Sequence, residues 1–190
     1  MRPFAAQEIA VFLQAIDRHL KEPFRLEMIG GAVALLCFKS KRGTLDIDAA
    51  QAVGKIEDAC DAARKETGLK IPLQTAIYEA PYEYESRSVR LSRPKLRKLQ
   101  IFVPEKHDWA LMKVARYNQK DVEDIREVAG TIGFKKEVLF ERFLNEMTHV
   151  TGDPKVLVLS FLLMMEGLYG KEEADRMEKV IRSDKRWKRA

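Results

Sequence analysis

The sequence predicts an α+β fold, a small mixed β-sheet with flanking helices followed by a C-terminal helical region. Three observations predict it. Up to Val103, short apolar runs of strand length are interleaved with amphipathic helical segments, and Gly, Pro and charged clusters punctuate them. After Pro104 the texture changes, and every apolar run repeats at helical spacing. The hydrophobic fraction, 46% of 190 residues, is ordinary for a globular chain and is enough to bury a core without staples. The boundary falls near residue 105, which divides the chain into an α/β core over 1–105 and a helical region over 106–190.

Each element has its own signal. Ala6 to Leu20 predicts a helix, with Ile9, Phe12, Leu13 and Ile16 at helical spacing and Pro23 beyond its end. Leu26 to Ile29 reads as a short strand stopped at Gly30, and Ala32 to Phe38 as an apolar helix. Lys39 to Gly43 is a polar loop. Thr44 to Ala50 alternates, which puts Thr44, Asp46 and Asp48 on one face of a strand and Leu45 and Ile47 on the other. Gln51 to Thr67 is an amphipathic helix stopped by Gly68. Leu73 to Glu79 reads as a strand, and Tyr82 to Leu91 with Leu99 to Val103 as a hairpin or two neighbouring strands around Pro94. In the second half, helices are expected over His107 to Tyr117, over Asp121 to Ala129 with a stop at Gly130, and over Lys136 to Met147. A further helix begins at an Asp153 cap with Pro154 in its first position and ends near Gly170. A charged final helix follows from Lys171.

Composition narrows the class. The N-terminal helix carries Glu8, Asp17 and Arg18 among its apolar residues, which reads as an amphipathic soluble helix and not as a signal peptide. The most apolar run, Val156 to Met165, is too short to span a bilayer. Cys37 and Cys60 share no metal-like or redox-like spacing and read as packed thiols in a reducing compartment. A cytoplasmic protein without a membrane partner is expected. The net charge of +5 is unevenly placed, with basic clusters at Arg87 to Lys98 and in the closing KRWKRA. Such runs are solvated faces by default, and together they suit contact with a polyanion.

The stretch FRLEMIGGAVALLCFKSKRGTLDIDAA, Phe24 to Ala50, is what a core alone does not explain. Ionised carboxylates are costly to bury unless paired or bound to metal. Asp46 and Asp48 at i and i+2 of a strand leave the same face, roughly 7 Å apart at the backbone. Side chains so placed converge on a hard cation such as Mg²⁺ (or Mn²⁺), which takes one or two carboxylates together with substrate phosphate oxygens. Gly30 and Gly31 let the backbone approach a phosphate, and the start of the following helix favours negative charge.

In the order IGGAVALL then TLDIDA, the chain resembles the nucleotidyltransferase superfamily, whose signature is a Gly-Gly or Gly-Ser pair followed by D-x-D on the next strand. VPEKHDWALMKVARYNQKDVEDI, Val103 to Ile125, resembles the region after the core sheet in bacterial toxin-type members, including abortive-infection toxins and relatives that modify transfer RNA. The resemblance covers about Leu26 to Ile125, with its closest flavour an uncharacterised nucleotidyltransferase-like branch. It implies Asp46, Asp48, Lys113 and Asp124 as catalytic residues, with Asp46 and Asp48 holding metal and Gly30, Gly31 and Thr44 binding nucleotide. A nucleotidyl group would pass from a nucleoside triphosphate to a hydroxyl, with RNA held through Arg87 to Lys98 as one acceptor and an antitoxin protein as a partner. Lys113 and Arg116 share a helix face, as do Asp121 and Asp124, and Lys120 can reach Asp124 at i, i+4. A plain salt-bridge network between two helices is the competing reading of these residues.

The superfamily's third carboxylate is not evident; Glu79, Glu83 and Glu85 are candidates, as is Asp124. Without it, the alternative is a degenerate fold that binds nucleotide, nucleic acid or a partner without turnover. His19, His107 and His149 lack metal-ligand spacing, and His107 at a helix start suggests capping or exposure. Met164, Met165 and Leu162 read as core and Trp109 as packing. Trp187 reads as part of a frayed terminus, with stacking on a base as the other option.

Overall fold

The computed structural model describes residues 2–187, which form two compact units. One, the sheet unit, runs to Ile77 and resumes over Ser88–Pro104. The other, the helical unit, takes Tyr78–Arg87 and the chain from Glu105 onward. The class is α+β with a small mixed sheet and a helical C-terminal region.

In the sheet unit, α1 (Ala6–His19) buries Ile9, Phe12, Leu13 and Ile16, the residues its period picks out. The Glu8 carboxylate accepts the Ala5 N–H at 2.9 Å and so satisfies one orphan donor of the first turn. Five strands make the sheet of the described residues: β1 (Phe24–Ile29), β2 (Ile47–Ala49), β3 (Leu73–Thr75), β4 (Val89–Arg90) and β5 (Leu99–Val103). Their order is β3-β2-β1-β5-β4. β1 is antiparallel to β2 and parallel to β5, β2 is parallel to β3, and β4 is antiparallel to β5. Between β1 and β2 lies α2 (Gly31–Cys37), which buries Ala32, Val33, Ala34 and Leu35. A 3₁₀ turn over Gly54–Ile56 precedes α3 (Glu57–Thr67), which ends at left-handed Gly68 with φ 70°. Asp17, on α1, accepts the backbone N–H groups of Arg97, Lys98 and Leu99 at 2.7–3.1 Å, fixing the entry to β5. Burial works against this carboxylate's charge, but the three N–H bonds prevail and hold its pKa below the ordinary value.

Several strand expectations contract. The alternating Thr44–Ala50 segment pairs as a strand only from Ile47, while Thr44 makes an isolated antiparallel bridge with Phe4. Leu45, which the alternation puts on the same face as buried Ile47, is 42% exposed, because regular strand pairing begins only at Ile47. The Leu73–Glu79 run ends as a strand at Thr75. The expected helix from Gln51 begins at Glu57, after the 3₁₀ turn. Tyr82–Arg87 is no strand: Tyr84–Arg87 forms the short helix α4, and strand pairing starts at Val89.

The helical unit continues with α5 (Lys106–Arg116), α6 (Gln119–Ile132), α7 (Lys136–Glu146), α8 (Pro154–Tyr169) and α9 (Lys171–Ser183). Asp153 caps α8 by accepting the Lys155 N–H at 2.9 Å, with Pro154 first in the helix. Gly130 does not stop α6. A helix tolerates an internal glycine at a cost of about 1 kcal/mol, and the stop is Gly133, with φ 65°. Met164 and Met165 are buried, as is Trp109, and Leu162 is half-buried. Trp187 is not frayed. It is buried, lies 4.8 Å centroid to centroid from Phe143, and donates its indole N–H to the Leu144 carbonyl at 3.1 Å. The basic residues after it in KRWKRA lie outside the described residues.

Tyr78–Arg87 is pinned within the helical unit by polar contacts. Arg87 makes a two-pronged pair with fully buried Asp108, at 2.9 Å on each oxygen, and also holds Glu146 at 2.6 Å. Arg142 joins Asp108 at 3.0 Å and Glu105 at 2.6 Å. His107 is buried and not exposed; its ring bonds Glu105 through Nδ1 and accepts the Lys135 N–H at Nε2, 2.9 Å away. Burial pushes the Glu105 carboxyl up, yet the His107 side chain and N–H, together with Arg142, bring it down to about 2. A carboxylate depressed in the folded state stabilises above its ordinary pKa of 4.5, and that contribution fades as pH falls from about 4.5 toward about 2. Urea titrations at pH 7, 4 and 2.5 are expected to show stability declining across this window. The decline should be shallower in Glu105→Gln, and an equally steep decline in that variant would contradict the assignment.

Candidate functional site

The local chain path around β1 and β2 follows from two glycines. Gly30 ends β1 with φ 74° and ψ −149°, a backbone region essentially restricted to glycine, and turns directly into α2. A Cβ on Gly30 would lie 2.6 Å from Asp48 Oδ2, and one on Gly31 would lie 2.8 Å from Thr44 Oγ1. The bare backbone of the pair is therefore packed directly beneath the side chains of Thr44 and Asp48. β1 and β2 set this up by register, with Ile29 opposite Asp48. Thr44 is buried and held by reciprocal backbone bonds with Phe4, at 2.7 and 3.1 Å. Its hydroxyl donates to the Asp46 carbonyl at 3.2 Å, with the Asp46 carboxylate 3.4 Å away.

Asp46 and Asp48 are half-buried and reach a common partner. Gln74 Nε2 donates to Asp46 Oδ2 at 3.2 Å and to Asp48 Oδ1 at 3.1 Å. Gln74 stands on β3, in parallel register with Asp48. One amide therefore spans both carboxylates, which converge as their i, i+2 spacing demands. Sequence reasoning missed Gln74, because its importance comes from the β2–β3 register. Its place in a strand was legible; its strand neighbour was not.

The structure thus brings Gly30, Gly31, Thr44, Asp46 and Asp48 into one cradle within the sheet unit. Among the described residues, no group of three or more His, Cys, Asp or Glu side chains is arranged to hold a metal ion. The donors present are two carboxylates, an amide and a hydroxyl. That set fits a hard divalent cation whose remaining ligands are waters or substrate phosphates. The bare Gly30 backbone is what lets the Asp48 carboxylate close onto the turn between β1 and α2.

Lys113 and Asp124 lie in the helical unit and meet each other there. Lys113 Nζ is 2.7 Å from Asp124 Oδ2 and 2.9 Å from Asp121 Oδ1, and all three side chains are buried. Arg116 grips both Asp121 oxygens, at 2.8 and 2.7 Å. Burial disfavours the Asp121 charge, but Arg116 and Lys113 outweigh it and hold the carboxyl below its ordinary pKa. Asn118 caps α6 by accepting the Asp121 N–H at 3.0 Å. The two helices are thus tied across left-handed Tyr117 by a buried ionic cluster, and Lys120 is exposed.

The candidates for a third acid also lie in the helical unit, and none is on a strand. Glu79 accepts from the Thr151 hydroxyl, Glu83 is 3.9 Å from Arg87, and Glu85 belongs to α4. Arg87 is engaged by Asp108 and Glu146, which withdraws it from the basic cluster. The rest of that cluster belongs to the sheet unit, where Arg90, Ser92, Lys95 and Arg97 line an open hollow of about 650 Å³. Both cysteines are free thiols, and burial pushes each up to about 11, so neither is a ready nucleophile.

Residues 7–153 match the model of a family described as "Nucleotidyltransferase of unknown function (DUF6036)". No curated protein and no solved structure matches the chain.

Proposed function

The chain belongs to this family of nucleotidyltransferases of unknown function, and from that premise we propose that it is a divalent-cation-dependent enzyme moving a nucleotidyl group from a nucleoside triphosphate to a hydroxyl. The observation that carries the reading is the cradle in which Gly30 and Gly31 back directly onto Asp48 and Thr44. Asp46 and Asp48 would hold Mg²⁺ or Mn²⁺. Bound there, the cation offsets charge on the transferred phosphate and on the departing pyrophosphate.

Every other part falls to the chain's own groups. Gly30 and Gly31 border the triphosphate and leave room for the Asp48 and Thr44 side chains against their backbone. Thr44 fixes the Asp46 backbone and borders the nucleotide. Catalysis then rests on positioning and charge neutralisation. Lys113 and Asp124 enter as the buried pair that ties α5 to α6, because the Lys113 ammonium is already committed to two carboxylates. The acceptor we favour is RNA, its backbone held by Arg90, Lys95 and Arg97 through salt-sensitive phosphate contacts. Resemblance to toxin-type members supports a toxin restrained by an antitoxin protein in the cytoplasm. Among the described residues, no helix is long and apolar enough to cross a membrane.

A second reading has its own support. Gln74, a neutral amide, faces both aspartates from the neighbouring strand where a further acid would strengthen metal binding. A site of two carboxylates suits a nucleotide-binding module without turnover as well.

One incubation tests the enzyme. The protein is mixed with Mg²⁺, each labelled nucleoside triphosphate in turn and a bulk transfer-RNA pool, with Asp46→Ala/Asp48→Ala as control. Label is expected in RNA or in the protein, and absent from the control. Label that persists in the double variant would remove Asp46 and Asp48 from the chemistry. Absence of label, with Mg²⁺-dependent stabilisation by nucleotide intact, would favour the binding module.

A further inference from the structure

Gln74 is exposed on the sheet surface, yet its amide is aimed at the two carboxylates and at nothing the fold requires. An amide NH₂ carries two hydrogens, and here it donates to Asp48 on the adjacent strand and to Asp46 just before that strand begins. The group does part of a cation's work, drawing together two like charges that otherwise repel. A cation cannot share that space with inward-pointing N–H donors. The same side chain, turned about its last torsion, offers Oε1, and a Gln carbonyl is an ordinary ligand for a hard divalent ion.

We propose that Gln74 is a positioning residue that preorganises Asp46 and Asp48 through its NH₂ group and becomes a neutral third ligand, through Oε1, when a divalent cation binds. This rests on the nucleotidyl-transfer reading of the site and deepens it. The protein then supplies two negative charges, enough to balance one divalent cation. Its coordination is still incomplete, so a triphosphate that supplies the missing oxygens binds synergistically with the metal.

The test is Mn²⁺ binding, followed by calorimetry and by the electron-spin signal of free Mn²⁺, with and without a non-hydrolysable triphosphate analogue. The proteins are the full chain, Gln74→Glu, Gln74→Leu and Asp46→Ala/Asp48→Ala. Gln74→Glu supplies a third carboxylate and is expected to tighten Mn²⁺ at least about tenfold without nucleotide, shrinking the synergy. Gln74→Leu, with neither donor nor ligand, is expected to weaken it about tenfold, the lower end for loss of a group that orients metal ligands. Melting curves add a readout independent of activity. Without metal, Gln74→Glu should melt below the parent through carboxylate repulsion, and with Mn²⁺ the order should reverse. Parent-like Mn²⁺ affinity in both Gln74 variants would overturn the role of Gln74 and leave the site intact. No Mn²⁺ binding by the parent even with the analogue, or equal binding by the aspartate double variant, would instead overturn the reading beneath it.

Discussion

Lys113→Met is expected to destabilise the helical unit by about 3–5 kcal/mol, the range for removing one partner of a buried ion pair. The physical argument is one of uncompensated charge. Lys113 sits between Asp121 and Asp124, at 2.9 and 2.7 Å, and its side chain is only 5% exposed. Methionine keeps the volume and the apolar stem but removes the ammonium from between two buried carboxylates. Arg116→Met makes the internal comparison. That guanidinium is 59% exposed, so solvent screens it and the loss should stay within about 1 kcal/mol. Urea denaturation of the three proteins measures both values. A Lys113 variant as stable as Arg116→Met would show that the cluster does not hold α5 to α6. A variant that folds normally and loses nucleotidyl transfer would return Lys113 to the catalytic role its family resemblance implies.

The second large effect is expected at Gly30. Alanine there must adopt φ 74° and ψ −149°, a conformation costing of order 1–3 kcal/mol for a residue with a Cβ. The new methyl would also start 2.6 Å from Asp48 Oδ2 and 3.3 Å from Asp48 Cβ, so the carboxylate must move away. Gly30→Ala should therefore lose both stability and Mg²⁺-dependent stabilisation by nucleotide. Gly31→Ala meets only Thr44 Oγ1 at 2.8 Å and Cβ at 3.3 Å, from an ordinary helical backbone, and should be milder in melting temperature. Paired thermal melts with and without Mg²⁺ and nucleoside triphosphate check this. If Gly30→Ala melts with the parent and keeps the nucleotide shift, the cradle is not where nucleotide binds.

Features legible in the sequence were those carried by short-range physics. The period of α1, the Asp153–Pro154 start of α8 and the Gly68 stop each depend on neighbours within a turn or two, and they stand where the pattern puts them. The same holds for the Gly-Gly turn and for the convergence of Asp46 and Asp48. What escaped was set by distant partners. Tyr82 to Arg87 alternates like a strand, but Arg87 is drawn to Asp108 and Glu146, and the chain coils into α4 to deliver it. Trp187 gave no sign of its stacking on Phe143, far off in sequence. Gln74 is the most instructive case, because only the parallel pairing of β2 and β3 brings it to Asp46 and Asp48.

The order in which the chain visits its units carries a consequence for inheritance. It leaves the sheet unit after Ile77, contributes Tyr78–Arg87 to the helical unit, returns for Ser88–Pro104, and then departs for good. No single cut separates two such units. A gene fragment ending at Pro104 would carry Arg87 without Asp108 and Glu146, and one beginning at Glu105 would carry those two acids without their arginine. Recombination at one crossover therefore cannot exchange the helical unit cleanly, and the pair must travel through evolution as one heritable piece.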